Sequence, residues 1–234
     1  SSSFSFLTFP LFRSKTTKPM QDFLDECLKT TIYRVNKDAF SKEVKIGNVT
    51  YTVATGGLHS QDNPVELWSS GRELFPSSTG GQHDVLNDDD YVYIHADINS
   101  MYPSIIAAHK VAPAHLDTNA FCNLIGWLKN KRVEVKHSDE NTVDGIDRDT
   151  LALVLKIVIN SVYGKLGFEN GNLYDRLAVL KTTINGQLMM LMLVEELELH
   201  NIHVLSANTD GIVIKLYKRD IDVYNRIKDE WEQT

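Results

Sequence analysis

The stretch from Tyr91 to Asp97 constrains this chain more than any other. Tyr91, Tyr93 and His95 alternate with Val92, Ile94 and Ala96, a period of two that predicts a strand with two unlike faces. Asp97 closes the strand, where a carboxylate reaches solvent, and Tyr102-Pro103-Ser104 opens a new element running to Ile106. A lone Asp at a strand end is ordinarily a turn former, so a chemical reading needs a second acid. Asp210 supplies one, inside the polar turn Asn208-Thr209-Asp210-Gly211. Those residue types favour a hairpin joining His203–Ala207 to Ile212–Tyr217. Between the two acids, Lys156–Gly164 reads as a helix, with Lys156, Asn160 and Tyr163 at steps of four and three on one face. Two remote carboxylates at strand tips and a polar helix face suggest a site assembled from distant segments.

Composition narrows the classes. With 234 residues the chain has room for one large or two small domains, and 42% hydrophobic with 24% charged residues is ordinary for a folded protein. A formal charge of -7 argues against a surface that grips nucleic acid everywhere, while leaving room for a local basic channel. Cys27 and Cys122 have no paired spacing and read as free thiols in a reducing compartment. No signal peptide is visible. The longest apolar run, Leu188–Val194, is too short to span a bilayer and is followed by Glu195 and Glu196. The expectation is a cytoplasmic protein with no membrane partner.

Taken in order, Gln21–Val35 predicts a short helix with Phe23, Leu24, Cys27 and Leu28 on one face. Phe40–Ser60 predicts strands around a Gly-Asn turn and ends near the paired glycines Gly56 and Gly57. Gln61–Asp90 reads as a loop whose acid run, Asp88-Asp89-Asp90, is solvated rather than metal-binding. After a connection over His109–Asn123, Phe121–His137 has helical spacing, with Lys129, Arg132 and Lys136 in a basic line. Ser138–Asp149 is a polar tip, after which Asp149 or Thr150 caps a helix with Leu151, Leu155, Val158 and Val162 as its apolar residues. Phe168–Tyr174 is a turn-bearing linker, Ala178–His200 a long helix, and Asp220–Thr234 a final helical segment.

Three of these segments resemble motifs A, B and C of the family B DNA polymerases, in the same order. Asp97–Ile106 (DINSMYPSII) is similar to the family's aspartate-to-Tyr-Pro-Ser pattern. Lys156–Gly164 (KIVINSVYG) is similar to its Lys, three residues, Asn-Ser-any-Tyr-Gly pattern, and Asn208–Gly211 (NTDG) to its usual Asp-Thr-Asp-Ser. The resemblance implies an α+β fold: an antiparallel palm sheet with helices packed on one face and a helical-hairpin fingers insertion. It divides the chain into residues 1–120 (palm with a template-side loop and motif A), 121–164 (fingers, ending in motif B) and 165–234 (the remaining palm with motif C). Exonuclease and thumb regions of a longer, phage-like or mobile-element-like polypeptide are then expected to be missing or truncated.

For function, the resemblance implies template-directed addition of deoxyribonucleoside triphosphates to a primer 3′ hydroxyl on primer-template DNA. Asp97, Asp210 and the carbonyl of Ile98 would hold two divalent ions, Mg²⁺ or alternatively Mn²⁺. With Asp97 and Asp210, Lys156 would be catalytic, and Lys156, Arg132 and Lys136 would bind the triphosphate. Ser100 and Tyr102 would line the incoming nucleotide, with Tyr102 as a steric gate. Asn160, Tyr163 and Gly164 would meet the nascent base pair, while Gly56 and Gly57 touch the template, with His59 and Ser60 near its phosphates. The chain departs from the pattern at Asn208, Gly211 and Ser206, which stand for the usual Asp, Ser and Tyr. Asp210 keeps the acid that matters more for catalysis. Two readings compete: a catalytically incomplete palm and fingers fragment that binds nucleic acid, and a two-metal nuclease. The nuclease has no use for the Lys156–Asn160–Tyr163 face.

Overall fold

A computed structural model describes residues 17–30, 32, 39–61, 83–87, 90–98 and 100–234. The acid run at Asp88-Asp89 and most of Gln61–Asp90 lie outside the described residues, as does the segment before Thr17. The fold is α+β, an antiparallel sheet with helices packed on one face. Two compact units divide it: residues 1–99 with 187–234, and residues 100–186.

The first unit is built on a seven-stranded sheet: β1 (Ser41–Ile46), β2 (Val49–Ala54), β3 (Gly57–Gln61), β4 (His83–Asn87), β5 (Tyr91–Asp97), β8 (His203–Asn208) and β9 (Gly211–Tyr217). Its order is β1-β2-β3-β8-β9-β5-β4, and its strand pairs are antiparallel. Alternation explains its two faces. Val92 and Ile94 are buried with Ile212, Ile214 and Leu216, whereas Tyr91, Tyr93, His95 and Asp97 lie on the other, more open face. The period of two read from Tyr91–Asp97 is thus the strand's real periodicity.

Helix α1 (Lys18–Lys29) buries Met20, Phe23, Leu24 and Cys27, close to the expected face, but starts three residues before Gln21 because Pro19 occupies its first turn. Burial pushes the Cys27 thiol up to about 12. After β9 and a short 3₁₀ turn, α6 (Ile221–Glu232) buries Tyr224 and Ile227, and Trp231 Nε1 donates to the Met189 carbonyl at 2.8 Å.

The second unit is helical. α2 (Met101–Ala108), α3 (Thr118–Lys136) and α4 (Arg148–Leu166) pack around Ile106, Phe121, Cys122, Ile125 and Leu166. α3 begins inside the stretch expected as a connection, because the Asp117 side chain accepts from Ala120 N at 2.7 Å and starts the helix there. The tip between α3 and α4 is not merely polar loop. Its strands β6 (Thr142–Val143) and β7 (Ile146–Asp147) flank Asp144-Gly145, both at positive φ (53° and 77°), a two-residue hairpin turn. The cap of α4 is Asp147, accepting from Thr150 N at 2.9 Å, rather than Asp149 or Thr150. α4 buries Leu155, Ile159 and Leu166, and Val162 packs against the same core, as expected for Leu155 and Val162; Val158 faces solvent and Ile159 takes its place.

Helix α5 (Arg176–Leu199) gives residues 176–186 to the second unit and 187–199 to the first. Length and composition alone would let it cross a membrane, but 72% of its most apolar window is buried in the fold. Thr182, Thr183, Asn185, Gln187 and Glu195 are buried along with Leu180, Ile184, Leu188, Met190, Leu191 and Leu197, a burial wider than one stripe.

Candidate functional site

In the first unit the two acids meet through backbone pairing. β5 and β9 run antiparallel with Asp97 opposite Gly211, and Ile98 N donates to the Asp210 carbonyl at 2.7 Å. The β8–β9 turn places Thr209 at φ 39° and pairs Asn208 with Gly211, so Asp210 rides the apex beside the end of β5. Partial desolvation raises the Asp210 carboxyl above its ordinary value and the Asp97 charge raises it further; a backbone hydrogen bond and His95 oppose this. A pair of oxygen donors that repel one another is the local chemistry a hard divalent cation relieves, and in this respect the residues fit such an ion. Among the described residues no group of three or more His, Cys, Asp or Glu side chains is set to hold a metal. Water and phosphate oxygens would have to complete the shell.

Turn β8–β9 is buttressed from the other side by β3. Thr209 N donates to the Leu58 carbonyl at 2.8 Å, and Ala207 N donates to Ser60 Oγ at 2.8 Å. Gly57 has φ 136°, and a Cβ there would meet Thr209 Oγ1 at 2.9 Å, whereas nothing stands within 4 Å of a Cβ at Gly56. Gly57 thus lets the paired-glycine turn approach the acid-bearing turn. Ser60 is engaged with β8, and exposed His59 pairs with Asn208.

In the second unit, Ser100 caps α2 in a left-handed conformation (φ 55°, ψ 39°), which costs a non-glycine residue about 1–2 kcal/mol. Arg132 Nη1 donates to Ser100 Oγ at 3.3 Å, and Lys129 Nζ to Ser104 Oγ at 3.4 Å, so part of the basic line faces α2. Arg132 Nε is buried without a hydrogen-bond partner. A buried donor left unpaired costs about 1–3 kcal/mol, a deficit that an anionic ligand oxygen would remove. The Tyr102 ring stacks on Tyr163, with centroids 4.4 Å apart and planes at 21°. Thr183 Oγ1 donates to the Val179 carbonyl, leaving it to accept from the Tyr163 hydroxyl at 2.9 Å. Burial raises the Tyr163 phenol above its ordinary value, and the bond to Thr183 partly offsets this. Lys136, Lys156, Asn160 and Gly164 are exposed.

Sequence reading missed Thr183 and Gly186, the residues that seat these rings. A Cβ at Gly186 would lie 2.9 Å from Ile105 Cδ1 and 3.4 Å from Tyr102 Cε1, so the glycine lets α2 lie close against α5. Neither carries a local pattern signal.

Residues 117–232, which contain two of the three motifs, match the profile of DNA polymerase family B. Part of this chain is homologous to family B DNA polymerases. It is 30% identical over 149 residues to a DNA polymerase of Thermococcus sp. (strain 9oN-7), covering 53% of this chain and 19% of that relative. The DNA polymerase alpha catalytic subunit of Arabidopsis thaliana is 28% identical over 157 residues, or 60% of this chain and 10% of the relative. The family B DNA polymerase from Pyrobaculum calidifontis superposes with a TM-score of 0.46 at 19% identity, covering 68% of this chain and 25% of that one. The chain spans about a fifth of the length of the archaeal relatives.

Proposed function

We propose that this chain is the palm and fingers segment of a template-directed DNA polymerase, with residues 121–164 as fingers and the sheet as palm. The observation that carries the reading is the Asp97–Gly211 register, which sets the acids of motifs A and C beside one another. Asp97, Asp210 and the Ile98 carbonyl are the groups that would hold two divalent ions, Mg²⁺ or Mn²⁺. When bound, such ions lower the pKa of a primer 3′ hydroxyl and stabilise the departing pyrophosphate.

The chain's own residues bind and orient. Arg132, with an unpartnered buried Nε, would donate to triphosphate oxygens, and Lys136 and Lys156 would add charge. Tyr102, held flat by Tyr163, would lie under the incoming sugar, beside Ser100 at the head of α2. Asn160, Tyr163 and Gly164 would meet the nascent base pair, and Gly56 and Gly57 the template. A cytoplasmic setting, in the host cell of a phage or mobile element, suits this role.

A second reading is favoured by the small share of its relatives that the chain spans and by the short donor list at the acids. In that reading the 234-residue chain by itself binds nucleic acid without completing turnover. Primer extension with Mg²⁺ beside primer-template binding without metal separates the two. Extension lost in Asp210→Asn supports the polymerase. Binding with no extension by the parent chain supports the incomplete fragment, and neither binding nor extension overturns both.

A further inference from the structure

The third motif departs from its usual form at Gly211, and the surroundings of that residue differ from those of a turn glycine. The structure gives Gly211 no left-handed backbone, so conformation does not demand glycine there. Space does. A Cβ at position 211 would lie 2.6 Å from Asp97 Oδ1 and 3.3 Å from His95 Nε2. Those two groups are themselves 3.2 Å apart, both about one-fifth exposed. His95 and Asp97 share the open face of β5, and Gly211 faces Asp97 directly across the β5–β9 ladder.

We infer that Gly211 and His95 act as a matched pair that positions the Asp97 carboxylate: the glycine leaves the space it lies in, and the imidazole holds it there. With its proton on Nε2, the His95 ring donates to Oδ1, which turns the carboxylate across the ladder toward the strand bearing Asp210. His95 is a positioning residue, acting through Asp97, and the Gly at 211 is its structural counterpart. Serine at 211 would displace the carboxylate, so this chain replaces the family's usual residue with one that suits a histidine two positions before the acid. The relevance to catalysis rests on the polymerase reading, but the positioning itself does not.

Two arms keep these claims apart. The first needs no metal. In the ¹⁵N-labelled chain, the His95 ring signals should move in Asp97→Asn and also in Gly211→Ala, a substitution whose closest clash is with the end of a flexible side chain and which should therefore fold. Unmoved signals in both folded variants overturn the pair. The second arm is Mn²⁺ binding followed by electron paramagnetic resonance. His95→Leu and Gly211→Ala should each weaken binding by about 10-fold, the low end of what loss of an outer partner does to a metal site. His95→Gln, which keeps a donor, should recover most of it. Equal Mn²⁺ affinity in His95→Leu, Gly211→Ala and the parent overturns the positioning role. A parent chain that shows the ring coupling but binds no Mn²⁺ supports the pairing and removes the two-metal reading instead.

Discussion

Tyr102 shows how much one side chain depends on residues that no motif names. Its ring lies on Tyr163, whose hydroxyl is tied to Thr183, and Gly186 makes room for its edge. Tyr102→Ala should therefore admit ribonucleotides more readily while leaving metal binding intact. Competition between deoxyribonucleotides and ribonucleotides in primer extension measures this, and an unchanged ratio removes the steric-gate role. Glu195 offers a test of stability. Burial raises its carboxyl above the ordinary 4.5 and the neighbouring Glu196 raises it further, while hydrogen bonds from Thr17 N and Oγ1 oppose the rise. A raised carboxyl means that the folded state holds its proton more tightly than the unfolded chain. The stability this confers is complete below the unfolded value and is lost as pH rises through the folded one. Glu195→Gln, which cannot ionise, should gain stability relative to the parent across that rise and keep the gain above it. Urea unfolding at stepped pH reads the difference, and a gap independent of pH contradicts it. At this scale the sequence singled out Asp97, Asp210 and Tyr102 because each sits in a motif that resembles one of the family's. It hid the place of Gly211 beside His95 and Asp97, because only strand register sets that glycine opposite Asp97.

Elements were legible where periodicity was strong and obscure where a single side chain set a boundary. The alternation of Tyr91–Asp97 and the Asn-Thr-Asp-Gly turn predicted β5 and the β8–β9 hairpin closely. The start of α3 depended on Asp117 accepting one backbone hydrogen bond, and the start of α4 on Asp147, choices that several nearby acids could have made. In α4 the structure buries Ile159 where Val158 was expected, because Leu151–Ile159 is apolar nearly throughout and composition does not choose between them. Two members of the basic line of α3, together with Lys156 of α4, carry a prediction at this level. Arg132→Ala, Lys136→Ala and Lys156→Ala should each lower kcat/KM for the incoming nucleotide, by raising KM or lowering kcat, with DNA affinity little changed. Lost DNA affinity with normal nucleotide use would make these residues a backbone-tracking patch instead.

Across the whole molecule, one unit brings together the acid-bearing strands and the glycine turn, and the other gathers Ser100, Tyr102, Arg132 and Tyr163. The chain order separates groups that the sheet unites: Asp97 precedes the helical unit and Asp210 follows it, so their meeting depends on β5 and β9 pairing across a long insertion. The fold class was readable through the three-motif resemblance, and strands and helices gathered in separate runs along the chain agree with it. The sheet order, with β8 and β9 between β3 and β5, was not, because nothing local in a strand names its neighbour. In the proposed polymerase, Asp97 and Asp210 together hold divalent metal. Crystals of the chain soaked in Mn²⁺ and measured at the manganese absorption edge test it directly. An anomalous peak is expected within ligand distance of both carboxylates, lost in Asp210→Asn. A well-ordered site with no peak there, or manganese held only elsewhere on the chain, would contradict it.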